Sequence, residues 1–261
     1  MVSHVTTPAA EVLDALPDWV TLVRAPNPGP MTLDGTNTWL LRAPGGGSVV
    51  VDPGPLDDGH LRAVAAHAPV AAIVLTHGHI DHTEGVERLA ELTGARVYHP
   101  PVLEHLDADG LTVEPLATPG HTKDSVCFVV RLGGEEIVLT GDTILGRGTT
   151  VVAWPDGDLG DYLDSLGRLA ALDGRPALPG HGPALHDTGI AARFYRRHRE
   201  SRLEQVRAAV AAGATDAPEV VAKVYADVDR SLWFAAEMSV RAQLDFLRRE
   251  SHPAPDGLDA T

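Results

Sequence analysis

Four side chains of the kinds that bind metal ions fall within six residues of this chain: His77, His79, Asp81 and His82, in the stretch THGHIDHTEG. Imidazoles and a carboxylate this close can share one small volume only when a cation orders them and offsets their charge. Three more residues of the same kinds follow, each beside a glycine at the end of a strand-like run: His121 in TPGHT, Asp142 in TGDT and His181 in PGHG. Taken singly, such residues read as turn formers that satisfy local backbone; the seven together read as a metal centre. The chain has one cysteine, Cys127, so thiolate-rich sites and an internal disulfide are excluded and any metal is held by imidazole and carboxylate. That donor set suits a borderline cation such as zinc. Cys127 itself lies in the apolar run VCFVV and is expected to be a small buried hydrophobe.

Asp52, in VVDPG, also follows an apolar run, and is expected to stand behind the ligands, fixing loop and ligand geometry by hydrogen bonds. Thr36, Asn37, Thr149 and Thr150 are candidate hydrogen-bonders to substrate, with a turn role for each as the alternative.

The elements that must position these groups are short apolar runs rich in Val, Ile and Leu, alternating with helix-like stretches and Gly/Pro punctuation, the pattern of an α/β layered fold. Strands are expected at Val20 to Arg24, Thr38 to Arg42, Ser48 to Val51, Ala71 to Leu75, Arg96 to Tyr98, Ser125 to Val130, Glu136 to Leu139 and Pro176 to Leu178. Helices are expected at Asp57 to His67, Gly85 to Thr93 and Leu159 to Leu172. The ligand-type residues then fall where strands end and loops begin, the usual place for functional groups on a rigid scaffold.

After His186 the texture becomes helical. A first helix over Ile190 to Ala212 stops at Gly213, a second is capped by Thr215 or Asp216 with Pro218 in its first turn, and a third is capped by Asp229 or Ser231. The boundary is placed near Asp187, giving a domain over 1–187 and a helical segment over 188–261, with a frayed tail SHPAPDGLDAT.

The net charge of −15 over 261 residues argues against a nucleic-acid partner, but it is unevenly spread: residues 188–250 carry 11 Lys+Arg against 9 Asp+Glu. Arg193, Arg196, Arg197, Arg199 and Arg202 could present a cationic helix face. No stretch approaches the ~20 apolar residues of a membrane span, and the first residues have neither the basic start nor the apolar core of a signal peptide. A cytoplasmic protein with no membrane partner is expected.

The order VDPG, THGHIDHTEG, TPGHT, GDT and PGHG resembles the five signature motifs of the metallo-beta-lactamase superfamily, over roughly residues 15 to 187. The resemblance implies an αββα sandwich with the site at one edge of the two sheets. It implies two metal ions, the first on His77, His79 and His121, the second on Asp81, His82 and His181, with Asp142 bridging. NPGPMTLDGTNTWLL, GDTILGRGTT and PGHGP resemble the beta-lactamase-like protein branch, which includes an endoribonuclease of single-stranded RNA and is close to polyketide thioesterases. Members carry a winged-helix-like C-terminal segment, whose last helix SLWFAAEMSVRAQLDFLRRE resembles, and the β wing is expected to be missing or vestigial.

Two divalent ions about 3.5 to 4 Å apart hold a bridging water whose pKa falls towards ~7, which supplies hydroxide at neutral pH. Asp81 is then placed to orient that water and accept its proton. A phosphodiesterase acting on single-stranded RNA is the first expectation, and hydrolysis of a thioester, ester or lactone the alternative. A mononuclear iron dioxygenase would need only two His and one Asp, and the intact set Asp81, His82 and His181 speaks against it. Seven ligands exceed what a purely structural site needs.

Overall fold

Alternation along the central strands decides the layering. In the run Ser48–Val51, Val49 and Val51 point into one apolar cluster with Trp39, Leu41, Phe128 and Leu139, while Val50 points the other way, to Leu61, Val64 and Leu89. The run Glu135–Gly141 does the same on the far side: Ile137 and Leu139 join the first cluster, and Val138 joins Tyr162, Leu166 and Tyr195. A strand buried on both faces must lie between two other layers. Here two sheets pack face to face over a shared core, each covered outside by helices.

The computed structural model describes residues 7–100, 105–152 and 154–251. The first sheet runs in the order β1 (Val20–Arg24), β2 (Asn37–Arg42), β3 (Ser48–Val51), β4 (Val70–Val74) and β5 (Arg96–Tyr98); its first two pairings are antiparallel and its last two parallel. The second sheet holds β6 (Leu106–Ala108), β7 (Leu111–Ala117), β8 (Val126–Leu132), β9 (Glu135–Gly141) and β10 (Ala177–Pro179), antiparallel except where β10 joins β9. Helices α1 (Asp58–Ala65) and α3 (Val86–Thr93) cover the first sheet, with the single turn α2 (Ile80–Thr83) between them. Helices α4 (Leu159–Leu169) and α5 (Thr188–Ala211) cover the second. Then come α6 (Ala217–Val224), a 3₁₀ turn (Arg230–Leu232) and α7 (Trp233–Ser251). This is the αββα sandwich implied by the motifs.

Local chemistry sets the helix ends. Asp57, Asp158, Asp187 and Asp216 each accept a backbone N–H of their helix's first turn, the substitute partner those otherwise unpaired groups need. Gly213, at φ +91, ends α5 in the left-handed conformation expected of it. Asp229 caps the 3₁₀ turn ahead of α7.

The expected strands form, with ends displaced by a residue or two. The hairpin β6–β7 was not foreseen. Its inward residues Leu111 and Val113 alternate with Thr112 and Glu114, and Pro115 follows, so no apolar run marks it. The Asp109-Gly110 pair at its turn, both residues at positive φ, was the available signal.

Helix α5 does not stand apart from the sandwich. Ala191, Ala192 and Tyr195 are buried with Val138, Leu166 and Leu169, and the Tyr195 hydroxyl accepts the Leu145 N–H at 2.9 Å. Further along, Leu203, Val206 and Ala209 are buried, the latter two packing with Val220, Val221 and Val240 of α6 and α7. Among the described residues after α5 there is no strand, and the described part of the segment is helical. No helix among the described residues is long and apolar enough to cross a membrane. The tail SHPAPDGLDAT falls outside the described residues after its first serine.

Candidate metal centre

All seven predicted ligand-type residues meet at one edge of the sandwich. His77 and His79 lie just past β4, Asp81 and His82 on α2, His121 past β7, Asp142 directly after β9 and His181 after β10. Their approach depends on glycine. A Cβ on Gly180 would lie 2.5 Å from Asp142 Oδ1 and 2.6 Å from His82 Cε1, and one on Gly141 would lie 2.6 Å from Thr76 Oγ1. Any side chain at either position would push ligand-bearing strands apart.

The donors form two groups. His77 Nε2 is 3.0 Å from His79 Nδ1, and His121 Nε2 is 3.1 Å from the same atom. His82 Nε2 is 3.3 Å from His181 Nε2 and 3.5 Å from Asp81 Oδ2, and His181 Nε2 is 3.2 Å from that oxygen. Two nitrogens bound tetrahedrally to one zinc at about 2.0–2.1 Å stand about 3.3 Å apart, so these spacings match the edges of a coordination shell. Asp142 lies between the groups: Oδ1 is 3.5 Å from His82 Nε2, and Oδ2 is 3.4 Å from His181 Nε2 and 3.8 Å from His121 Nε2. Its Oδ1 is buried without a hydrogen-bond partner, which a bound cation would supply.

Outer hydrogen bonds turn four of the five rings inward. His121 Nδ1 donates to the Val151 carbonyl at 2.6 Å, His181 Nδ1 to the Gly35 carbonyl at 3.3 Å and His82 Nδ1 to Asp52 Oδ2 at 2.9 Å. His77 Nδ1 donates to Thr76 Oγ1, which itself donates to Asp52. With the outer nitrogen occupied, Nε2 faces the centre. Asp52, buried and held at φ +52, thus braces two rings and also accepts the Thr76 N–H. Thr76 and the Val151 carbonyl were not singled out from sequence, since no motif marks a backbone acceptor.

The centre is electrostatically divided. Burial, with repulsion from neighbouring imidazoles, keeps His77 well below the ordinary histidine range, and burial also lowers His121. At His181 burial pulls the same way, but the Asp142 and Asp81 carboxylates outweigh it and push the ring up to about 10. His82 is raised against burial by Asp142 and Asp52. Asp142 is held well below the usual carboxylate range by His181 and His82, despite its burial.

This division predicts a pH dependence. A cation binding at the Asp81, His82 and His181 group must displace the His181 proton at every pH below about 10 and competes with a proton on His82, whose proton affinity is also raised, so affinity there falls as pH drops from 9 to 7. The His77, His79 and His121 group faces no such competition from His77 or His121, whose pKa values are lowered. Zinc titration at several pH values, with released protons counted by an indicator dye, checks this; two sites equally insensitive to pH would contradict it.

A pocket of about 930 Å³, counting its open mouth, leads from His121 and Asp142 outward between Pro30, Leu33, Leu145 and Thr149 on the sandwich side and Tyr225, Val228, Leu232 and Ala236 on the helical side. Thr149 and Thr150 line it. Thr150 Oγ1 also lies 3.2 Å from His121 Nδ1. Thr36 and Asn37 are not among its lining residues, and their surroundings match the turn role that the sequence offers as the alternative. Asn37 is buried, its amide donating to the carbonyls of Pro179 and Gly182, so it fixes the turn that carries His181. Thr36 is buried between Asn27 and Asp81.

The arginines of α5 also sit otherwise than expected. Arg199 and Arg202 are buried, Arg193 pairs with Asp173 and Arg196 with Glu200. Of the five, Arg197 is the one left exposed outside these pairs, so no continuous cationic face forms. Cys127 is fully buried, and burial pushes its thiol up to about 11.

The family model for the Metallo-beta-lactamase superfamily matches residues 31–112 and 99–181, a span that takes in every residue of the centre. The chain belongs to the metallo-beta-lactamase superfamily. Like the superfamily's hydrolases, it is a metal-dependent hydrolase. A second match, to the Beta-lactamase associated winged helix domain, covers residues 217–251. The chain is 37% identical to the atrochrysone carboxyl ACP thioesterase of Aspergillus fumigatus over 67% of its length, and spans 59% of that protein. It is 31% identical to a beta-lactamase-like protein 2 homolog of Caenorhabditis elegans, over 92% of this chain and 88% of that one. A beta-lactamase domain protein from Burkholderia ambifaria superposes with a TM-score of 0.78 over 97% of this chain and 93% of its own, at 22% identity, a likeness of fold.

Proposed function

We propose that this metallo-beta-lactamase-fold protein hydrolyses the carbonyl of an acyl thioester or ester, with two divalent cations of zinc type at the centre. His77, His79 and His121 would hold one, Asp81, His82 and His181 the other, and Asp142 would lie between them. Such cations polarise an acyl oxygen and make water acidic enough to attack near neutral pH.

The chain's own residues supply position and proton transfer. Burial works against ionisation of Asp81, but its contacts with His181 and His82 keep its carboxyl below the ordinary range, so it is an ionised acceptor, steadied by Thr36 at 3.4 Å. A carboxylate there can take a proton from the attacking water and return it to the leaving group. Thr149, on the pocket wall, is placed to hydrogen-bond the substrate.

The observation that carries the acyl reading is the pocket. Its walls are mostly apolar, it opens directly onto the centre, and the helical segment closes it. An apolar enclosure suits an acyl chain or ring system better than ribose and phosphate. The relative named as an acyl carrier protein thioesterase agrees with this. A phosphodiester is the other bond such a centre could cleave. The RNA expectation rests on the branch resemblance and on the α5 arginines, and of those five Arg199 and Arg202 are buried, Arg193 and Arg196 are paired, and Arg197 alone is exposed outside these pairs.

The deciding experiment presents the zinc-loaded protein with acyl thioesters, lactones, single-stranded RNA and a chromogenic cephalosporin side by side. Thioesters are expected to be turned over with kcat/KM of about 10⁴ M⁻¹s⁻¹ or more. Cleavage of RNA without thioester turnover would reverse the assignment.

A further inference from the structure

In a chain of net charge −15, the pocket beside the centre is cationic: its lining includes Arg147, Arg199, Arg202 and His198, and its one carboxylate is Asp142 of the centre itself. Two of these guanidinium groups have evident protein partners. Arg147 is paired with Asp34, and Arg202 lies over the Tyr225 ring and donates to the Val224 carbonyl at 2.8 Å. Arg199 differs. It is 3% exposed, it donates to the Thr150 carbonyl and lies over the Tyr162 ring, and its Nε is buried with no partner. Among the described residues no carboxylate pairs with it. A buried guanidinium without a counter-charge is costly, and removing that cost is what an anionic ligand would do.

We propose that the pocket recognises an acyl substrate that carries a carboxylate, and that Arg199 binds that carboxylate and sets the specificity. This rests on the carbonyl-hydrolase reading above. Thr150 fixes the spacing: its carbonyl takes the Arg199 N–H while its hydroxyl stands 3.2 Å from His121 Nδ1, so one residue separates the guanidinium from the centre. The His121 ring spans the rest, its Nε2 toward the centre, so a carboxylate and a scissile carbonyl on one short acyl chain would meet the two groups. The remaining wall, with Met31, Leu33, Leu145, Val228 and Leu232, asks for an apolar body between or around them. A phosphate of RNA would satisfy the charge but not that lining.

The test compares two N-acetylcysteamine thioesters of equal chain length on the zinc-loaded protein, glutaryl and pentanoyl, which differ in ending on a carboxylate or a methyl group. The expected ratio of kcat/KM favours glutaryl by about 30-fold, the range for hydrogen bonds to a charged group. In Arg199→Met the ratio should fall to about one, and Arg199→Lys should restore part of it. Circular dichroism and zinc content establish that each variant is folded and loaded.

A ratio near one in the unaltered protein, or a preference that survives in Arg199→Met, overturns the proposal and leaves carbonyl hydrolysis standing. If neither thioester is hydrolysed, that underlying reading fails, and calorimetry with 5-oxohexanoate against hexan-2-one decides for Arg199: about 30-fold tighter binding of the acid, lost in Arg199→Met, supports it, and equal binding refutes it. RNA cleavage that falls in Arg199→Met would assign the guanidinium to phosphate and refute the carboxylate. Should Arg199→Met not fold, the ratio in Arg199→Lys decides, and an unchanged ratio with a changed donor geometry counts against direct recognition.

Discussion

Changing Asp142 to alanine is expected to lower kcat/KM by about a thousandfold or more and to leave the protein with fewer than two tightly held metal ions. Asp142 contacts both donor groups, with His82 and His181 on one side and His121 on the other. It is also the strongest of the attractions that lift His181 to about 10 against burial. Without its charge, the five imidazoles converge with only Asp81 to offset the proposed pair of dications. A loss of about 4 kcal/mol in transition-state stabilisation corresponds to that thousandfold change. Asp142→Asn keeps the volume and removes the charge, so it should behave like the alanine variant if electrostatics govern. Metal analysis beside steady-state kinetics is the check. Full turnover with two bound ions in either variant would show that Asp142 does not link the two groups.

A chain cut after Asp187 is expected not to fold to a soluble protein. Sequence texture suggests a separable helical segment from residue 188 onward, but α5 is built into the second helical layer, where Ala191, Ala192 and Tyr195 are fully buried against Val138, Tyr162, Leu166 and Leu169. Losing a buried large apolar side chain typically costs about 2–5 kcal/mol, and several such contacts together exceed the 5–15 kcal/mol that holds a domain folded. The cut also removes the Tyr195 hydroxyl from Leu145, which borders the pocket. Solubility, near-ultraviolet circular dichroism and a denaturation curve for residues 1–187 test this. A soluble fragment that unfolds cooperatively and binds metal would show that α5 is only an attachment. The winged-helix family match begins at residue 217, beyond this helix.

The centre was legible in the sequence because its information is local. Four of seven ligand-type residues lie in one loop, the others lie beside glycines at strand ends, and the strands themselves are continuous apolar runs because both faces are buried. The hairpin β6–β7 was not, since Thr112, Glu114 and Pro115 interrupt its apolar pattern and its turn carries the clearer signal. The pocket was beyond reach for a different reason. Its walls come from segments as distant as Leu33, Leu145 and Leu232, and no local pattern reports their meeting. The arginines show the same limit: Arg197 and Arg199 are two residues apart in one helix, yet one is exposed and the other buried in the pocket wall, a difference made by which face of α5 meets the sandwich.

Helix α5 runs unbroken for 24 residues, about 36 Å at 1.5 Å per residue. Its first turns are locked in the sandwich core, its middle carries Arg199 and Arg202, and its last turns hold α6 and α7. With its first turns packed in the core, the stretch that carries Arg199 is expected to keep its distance from the centre, and entry and release are expected to fall to the connections around Pro30–Leu33 and Leu145–Val151 on the opposite rim. Stiffening those connections should slow release, while inserting one residue into α5 between Tyr195 and Arg199 would rotate the guanidinium about 100° away from the pocket and leave the core half of the helix in register.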